Sequence, residues 1–96
     1  MLTGKQKRFL RKKAHHEKPI FQVGKDGVND NMLKQISEAL ELRELIKVSI
    51  LQNNMDDKEA VVNEVSSGTN SEIVQVIGNI FVLYKESEKN KQIQLP

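Results

Sequence analysis

Ile20-Phe21-Gln22-Val23-Gly24-Lys25-Asp26-Gly27-Val28-Asn29-Asp30 reads as a short apolar strand, a Gly-x-x-Gly loop and the entrance to a helix. Glycines let a main chain come close to another backbone without Cβ interference. The free N–H groups of the helix entrance favour an anion. Lys25 adds a cation at the loop tip and Asp26 beside it works against that charge. The same spacing also marks an ordinary turn, so the loop has to be weighed with its surroundings.

On its N-terminal side, Thr3 is a candidate N-cap for a first helix running to about Ala14. At 100° per residue Phe9, Leu10 and Ala14 share one arc, and Lys5, Lys7, Arg8, Arg11 and Lys12 occupy the opposite one. Lys13 falls nearer the apolar side and has to snorkel. Pro19 ends this region, because the residue before a proline avoids the α conformation. Residues 1–18 hold seven basic side chains against Glu17 alone, a local net charge of +6 that leaves −4 on the rest of a chain totalling +2. Such segregation attracts polyanions and steers their encounter; a merely solvated basic helix is the plain alternative.

On its C-terminal side, Asn29 or Asp30 caps a second helix to about Leu42, with Leu33, Ile36 and Leu40 on one face and Met32 and Ala39 beside them. Leu45 to Leu51 alternates and is β-branched, hence a strand. Gln52-Asn53-Asn54 is a loop. Asp56 or Asp57 caps a third helix, with Ala60, Val61 and Val65 inward and Gly68 as its stop. Ile73 to Ile77 and Ile80 to Tyr84 form a hairpin across Gly78-Asn79. From Lys85 onward the chain is polar and aperiodic, which reads as a frayed tail.

The order is α-β-α-β-α-β-β, an α/β fold with parallel crossovers and an antiparallel last strand. Alternation assigns Phe21, Val23, Ile46, Val48, Ile50, Val74, Val76, Phe81 and Leu83 to one sheet face under helices. Gln22, Lys47, Ser49, Gln75 and Tyr84 fall on the other, partly wet face.

Several functions lack support. No apolar run approaches the roughly 18 residues that span a bilayer. The N-terminus has no apolar signal region, so a cytoplasmic location is expected. There are no cysteines, hence no disulfide, thiol nucleophile or cysteine-ligated metal. His15 and His16 are adjacent and diverge by about 100° on a helix, which suits helix-end or RNA contacts better than one shared metal. No nucleophile elbow, catalytic triad or P-loop is present. A non-enzyme with no cofactor, metal or small-molecule substrate is expected. The only aromatics besides histidine are Phe9, Phe21, Phe81 and Tyr84, too few for base stacking on strand aromatics. Recognition by phosphate charge and shape follows, with marked salt sensitivity.

The blocks from Leu2 to His16, Pro19, Gln22 to Gly27, Glu44 to Val48 and Val74 to Lys85 together resemble the CRM domain (chloroplast RNA splicing and ribosome maturation), in that family's order. The resemblance runs over residues 2–85, at a length similar to the single-domain YhbY-type bacterial members, and leaves residues 86–96 as a polar C-terminal tail. It implies a two-layer fold with a four-stranded mixed sheet, similar to the C-terminal domain of translation initiation factor three. It also implies RNA as partner, namely rRNA in precursors of the large (50S) subunit, with a role in their maturation. Carried over by position, the RNA contacts are Gly24, Lys25, Asp26 and Gly27, with Lys5, Lys7, Arg8, Arg11 and Lys12 of the first helix. Asp26 departs from the more basic loops of the family and shifts weight onto the helix. An adaptor docking an acidic ribosomal protein through the same helix is the alternative. The short length and lack of a heptad favour a monomer.

Overall fold

A computed structural model describes residues 1–51 and 57–96. Thr3 closes a capping box with Gln6 and starts α1 (Gly4–Ala14), whose last turn carries Arg11, Lys12 and Lys13 where cations favour the helix dipole. β1 (Phe21–Val23) follows, and Ile20 joins its edge by donating its N–H to the Lys47 carbonyl. The Asn29 side chain accepts from the Met32 N–H and caps α2 (Asp30–Arg43), one residue longer than expected at its end. β2 (Leu45–Ile50), α3 (Lys58–Thr69), β3 (Glu72–Ile77) and β4 (Ile80–Tyr84) complete the order. The expected loop at Gln52-Asn53-Asn54 and the alternative cap Asp56 lie outside the described residues.

The sheet runs β1-β2-β4-β3, parallel between β1 and β2 and antiparallel at the other two pairings. β2 and β3 point the same way, as the crossovers require, with β4 inserted between them. This is the expected α/β architecture of a four-stranded mixed sheet with three helices. One face packs on α2 and α3 through Val23, Ile36, Leu40, Val48, Val65, Phe81 and Leu83. α1 covers part of the other face through Leu10 and Ala14, against Leu45, Val74, Val82 and Tyr84.

Four local readings need correction. Val74 lies on the α1 face, because the β3–β4 register shifts between Ile73 and Gln75. The extra residue of such a bulge resets the alternation. Val76, assigned to the covered face, remains 42% exposed. α3 buries Val61, Val62, Val65 and Thr69, leaving Ala60 outside, and it does not stop at Gly68. Asn70 takes the left-handed φ of 55° that terminates the helix. Gly68 instead lets α3 approach α2: a Cβ there would lie 2.7 Å from Leu33 Cδ1.

The C-terminal segment is docked, not frayed. The Glu41 carboxylate accepts from the Glu88 N–H (2.9 Å), the Ser87 hydroxyl (2.7 Å) and the Lys89 N–H (3.0 Å). The fully buried Glu44 accepts from the N–H groups of Ser87 (2.8 Å), Gln92 (2.6 Å) and Ile93 (2.8 Å). Ile93 and Leu95 then pack beside Leu10 and Tyr84. The segment has no periodicity because its N–H groups go to two carboxylates at the end of α2, not to a ladder.

Tyr84, 5% exposed, is the sole tyrosine of a chain without tryptophan. Burial pushes its phenol above the ordinary 10.0, and the charges of Glu44 and Glu86 push it further. The folded state therefore retains the phenolic proton where the unfolded chain loses it, and stability declines as pH rises past 10. Alkaline absorbance titration is expected to give a midpoint above 10 for the native protein, returning to the ordinary value in denaturant. A native midpoint at the ordinary value would contradict this burial.

Candidate nucleic-acid interface

α1 stands along the sheet so that its apolar arc meets the core and its cationic arc overlooks the strands left uncovered. Between them runs a groove of about 750 Å³, with Arg8, Arg11, Lys12, His15 and His16 along the helix side and Lys47, Gln75 and Ile77 along the sheet. Lys47 is there by alternation in β2, where Ile46 and Val48 turn into the α2–α3 core. Among the described residues none of these four cations forms an ion pair. Like charges held close without carboxylates favour a polyanion.

A smaller hollow of about 190 Å³ shares Lys47, Gln75 and Ile77 with the groove and extends it over Ile80 and Val82. Ile77 and Ile80 are 63% and 37% exposed. His15 and His16 are both exposed and stack edge to face with centroids 5.3 Å apart. Among the described residues no group of three or more His, Cys, Asp or Glu could hold a metal ion. Lys13 keeps its ammonium over the Phe9 ring, 5.4 Å from the centroid, which is how it leaves the apolar side of α1.

The groove gathers Arg8, Arg11 and Lys12 of the expected contacts. Lys5 and Lys7 are not part of its described lining, and neither is the loop from Gly24 to Gly27. That loop is a tight turn at the end of β1: the Gly27 N–H donates to the Gly24 carbonyl at 3.0 Å. Gly27 is buried with φ at 74°, a left-handed conformation that favours glycine, and Lys25 and Asp26 project from the tip. A Cβ on Gly24 would meet Leu51 Cδ1 at an ordinary 3.6 Å. Steric need therefore explains the second glycine and not the first.

Sheet register connects the two places. Gln22 pairs with Ser49, Ser49 with Ile80, and Ile80 with Ile77. These four side chains share the face that carries the groove, and Gln22 is two residues from Gly24. Loop and groove thus stand at opposite ends of one open row. Lys47 and the two isoleucines were not singled out from sequence as contacts. Lys47 was legible as a wet-face residue, whereas exposure of the isoleucines depends on how far α1 reaches over the sheet.

Known proteins resemble this chain in sequence and in fold. Residues 2–85 match the model of the CRS1 / YhbY (CRM) domain. A Bacillus subtilis protein named "Probable RNA-binding protein YqeI" is 70% identical over 96 residues, covering all of both chains. A Haemophilus influenzae protein named "RNA-binding protein" is 41% identical over 95 residues, covering 99% of this chain and 95% of that one. The solution structure of a Staphylococcus aureus hypothetical protein, titled "a putative RNA binding protein", superposes with a TM-score of 0.82 at 60% identity, covering all of both chains. With the fold, the residue blocks and full-length relatives in agreement, the chain belongs to the CRS1 / YhbY (CRM) domain family.

Proposed function

We propose that this chain is a non-enzymatic RNA-binding protein whose target is rRNA in precursors of the large ribosomal subunit, where it assists assembly. The observation that carries the RNA reading is the groove: Arg8, Arg11, Lys12 and Lys47 without ion-pair partners among the described residues, beside a sheet face that α1 leaves open. The names of the relatives agree with it. The rRNA and assembly steps rest on family kinship. In this mechanism the groove cations draw in RNA by displacing its counterions. The turn at Gly24–Gly27 then brings Lys25 and a close main chain against the phosphates.

In-cell crosslinking with sequencing of the bound RNA, together with sedimentation, tests the target. Enrichment of rRNA and co-migration with precursor particles is the expected result. Crosslinks scattered over unrelated RNAs, with the protein only in free fractions, would overturn the ribosomal assignment. Co-purification with particles that survives nuclease treatment would favour an adaptor on an acidic protein.

The loop has its own test. A Cβ at Gly24 meets only an ordinary contact, so Gly24→Asp is expected to fold while setting a carboxylate where phosphate is to lie. Its thermal midpoint is expected to stay close to that of the parent, while RNA affinity drops by roughly tenfold, about one charge-assisted contact. A stable variant with parental affinity would remove the loop from the interface.

A further inference from the structure

The groove has two chemistries, and only one of them suits phosphate. Arg8, Arg11, Lys12 and Lys47 supply charge, but the floor between them continues onto Ile77 and Ile80. An A-form duplex offers a groove this size only phosphates and riboses, because its base faces are stacked inside the helix. An unpaired nucleotide has an anionic edge and an apolar face, which matches a cationic wall beside an aliphatic floor. The volume, about 750 Å³, is in the range of roughly 300–1,000 Å³ that encloses small organic ligands, and is too small for a double helix.

We infer that the groove binds unpaired RNA, with bases laid on Ile77 and Ile80 and phosphates held by Arg8, Arg11, Lys12 and Lys47. The strand leaves the groove along the row Ile77–Ile80–Ser49–Gln22 toward the glycine loop. That row crosses three strand spacings, about 14 Å, a distance a few nucleotides cover. Ser49 and Gln22 offer hydrogen-bonding groups along the way, and Lys25 waits at its end. The selected substrate is therefore a single-stranded loop or bulge in RNA, not a duplex. This inference rests on the RNA-binding reading above and adds to it a preference for unpaired bases.

The test compares four probes by fluorescence anisotropy with the full chain: a short unstructured oligoribonucleotide, its abasic ribose-phosphate counterpart, a duplex of equal phosphate count, and polyglutamate as competitor. The expected result is single-strand binding about tenfold tighter than duplex at equal salt. The abasic strand should lose a similar factor with its salt slope unchanged, in line with one or two bases seated on the protein. Ile77→Ser with Ile80→Ser, both at exposed positions, should abolish the difference between intact and abasic strands. Equal binding of intact and abasic strands, or of single strand and duplex, would overturn the inference while leaving salt-sensitive RNA binding in place. Displacement by polyglutamate as effective as by RNA would also overturn it, in favour of an acidic protein partner. Absence of salt-sensitive binding to any RNA probe would defeat the parent reading itself.

Discussion

A protein carrying Arg8→Glu, Arg11→Glu and Lys12→Glu is expected to lose at least about a hundredfold in RNA affinity at 0.1 M salt. Each phosphate contact on a single strand contributes about 0.7 to the slope of log K against log salt. Three contacts amount to about two decades at that ionic strength, before any repulsion from the new carboxylates. The slope itself should become shallower by about 2. The three residues share the groove, whereas Lys5 does not line it, so Lys5→Glu alone should matter far less. The buried side of α1 is Leu10 and Ala14, which the triple change leaves intact. Carboxylates in the last turn oppose the helix dipole and cost a few tenths to about 1 kcal/mol each. The neutral set Arg8→Gln, Arg11→Gln and Lys12→Gln avoids that cost and should show the same shallower slope. A salt titration with parental affinity and slope in both sets would remove α1 from the interface.

The largest expected effect on stability is at Glu44. Its residue is fully buried and its backbone sits at φ 66°, a region that costs a side-chain-bearing residue on the order of 1–3 kcal/mol. The carboxylate compensates by accepting three main-chain N–H groups from Ser87, Gln92 and Ile93. Glu44→Ala keeps the strained backbone and strands those donors, so a loss of roughly 3 kcal/mol or more is expected. For a domain of this size that corresponds to a melting point lower by about 12–24 °C. Glu44→Gly relieves the backbone without restoring the acceptor and should recover about 1 kcal/mol of the loss. If alanine and glycine melt together near the parent, the segment from Ser87 to Ile93 is not anchored there.

Acid should reproduce part of this release. The N–H of Glu88, the Ser87 hydroxyl and the N–H of Lys89 hold the Glu41 carboxyl down from its ordinary 4.5 to about 2. For Glu44, burial works to raise the pKa, but the N–H groups of Ser87, Gln92 and Ile93, aided by Lys91, outweigh it and leave the group below its ordinary value. In both cases the unfolded chain takes up the proton first. Stability is therefore full above about pH 4.5 and declines as pH falls toward 2. Urea midpoints measured across that range should fall, and fall less in Glu44→Ala.

Much of this architecture was legible where local rules and tertiary demands coincide. Thr3 caps the helix it was expected to cap, Asn29 is the one of the two candidates that caps the second, and β4 has its expected bounds. Alternation placed Lys47 on the wet face. It failed in β3, because a bulge is a property of two paired strands and Ile73-Val74-Gln75 alone carries no mark of it. The helix stop is Asn70 and not Gly68, which instead sits where α3 closes on Leu33. The docked segment was illegible for a related reason: its partners Glu41 and Glu44 precede it by more than forty residues, and solvent-facing carboxylates look the same in sequence as anchoring ones. The cationic arc of α1 could be read directly, but the groove could not, since its floor comes from three strands.

The position of β4 in the sheet has a kinetic consequence. Among the described residues it is the last strand and the only one that pairs with both β2 and β3. Until residues 80–84 have been synthesised, β2 keeps an open edge and the two halves of the sheet have nothing to join them. Closure then requires pairing between residues such as Leu45 and Tyr84, a long loop to close before any reward. Folding should be concerted and late during synthesis, completed by the hairpin from Glu72 to Tyr84 as it inserts beside β2.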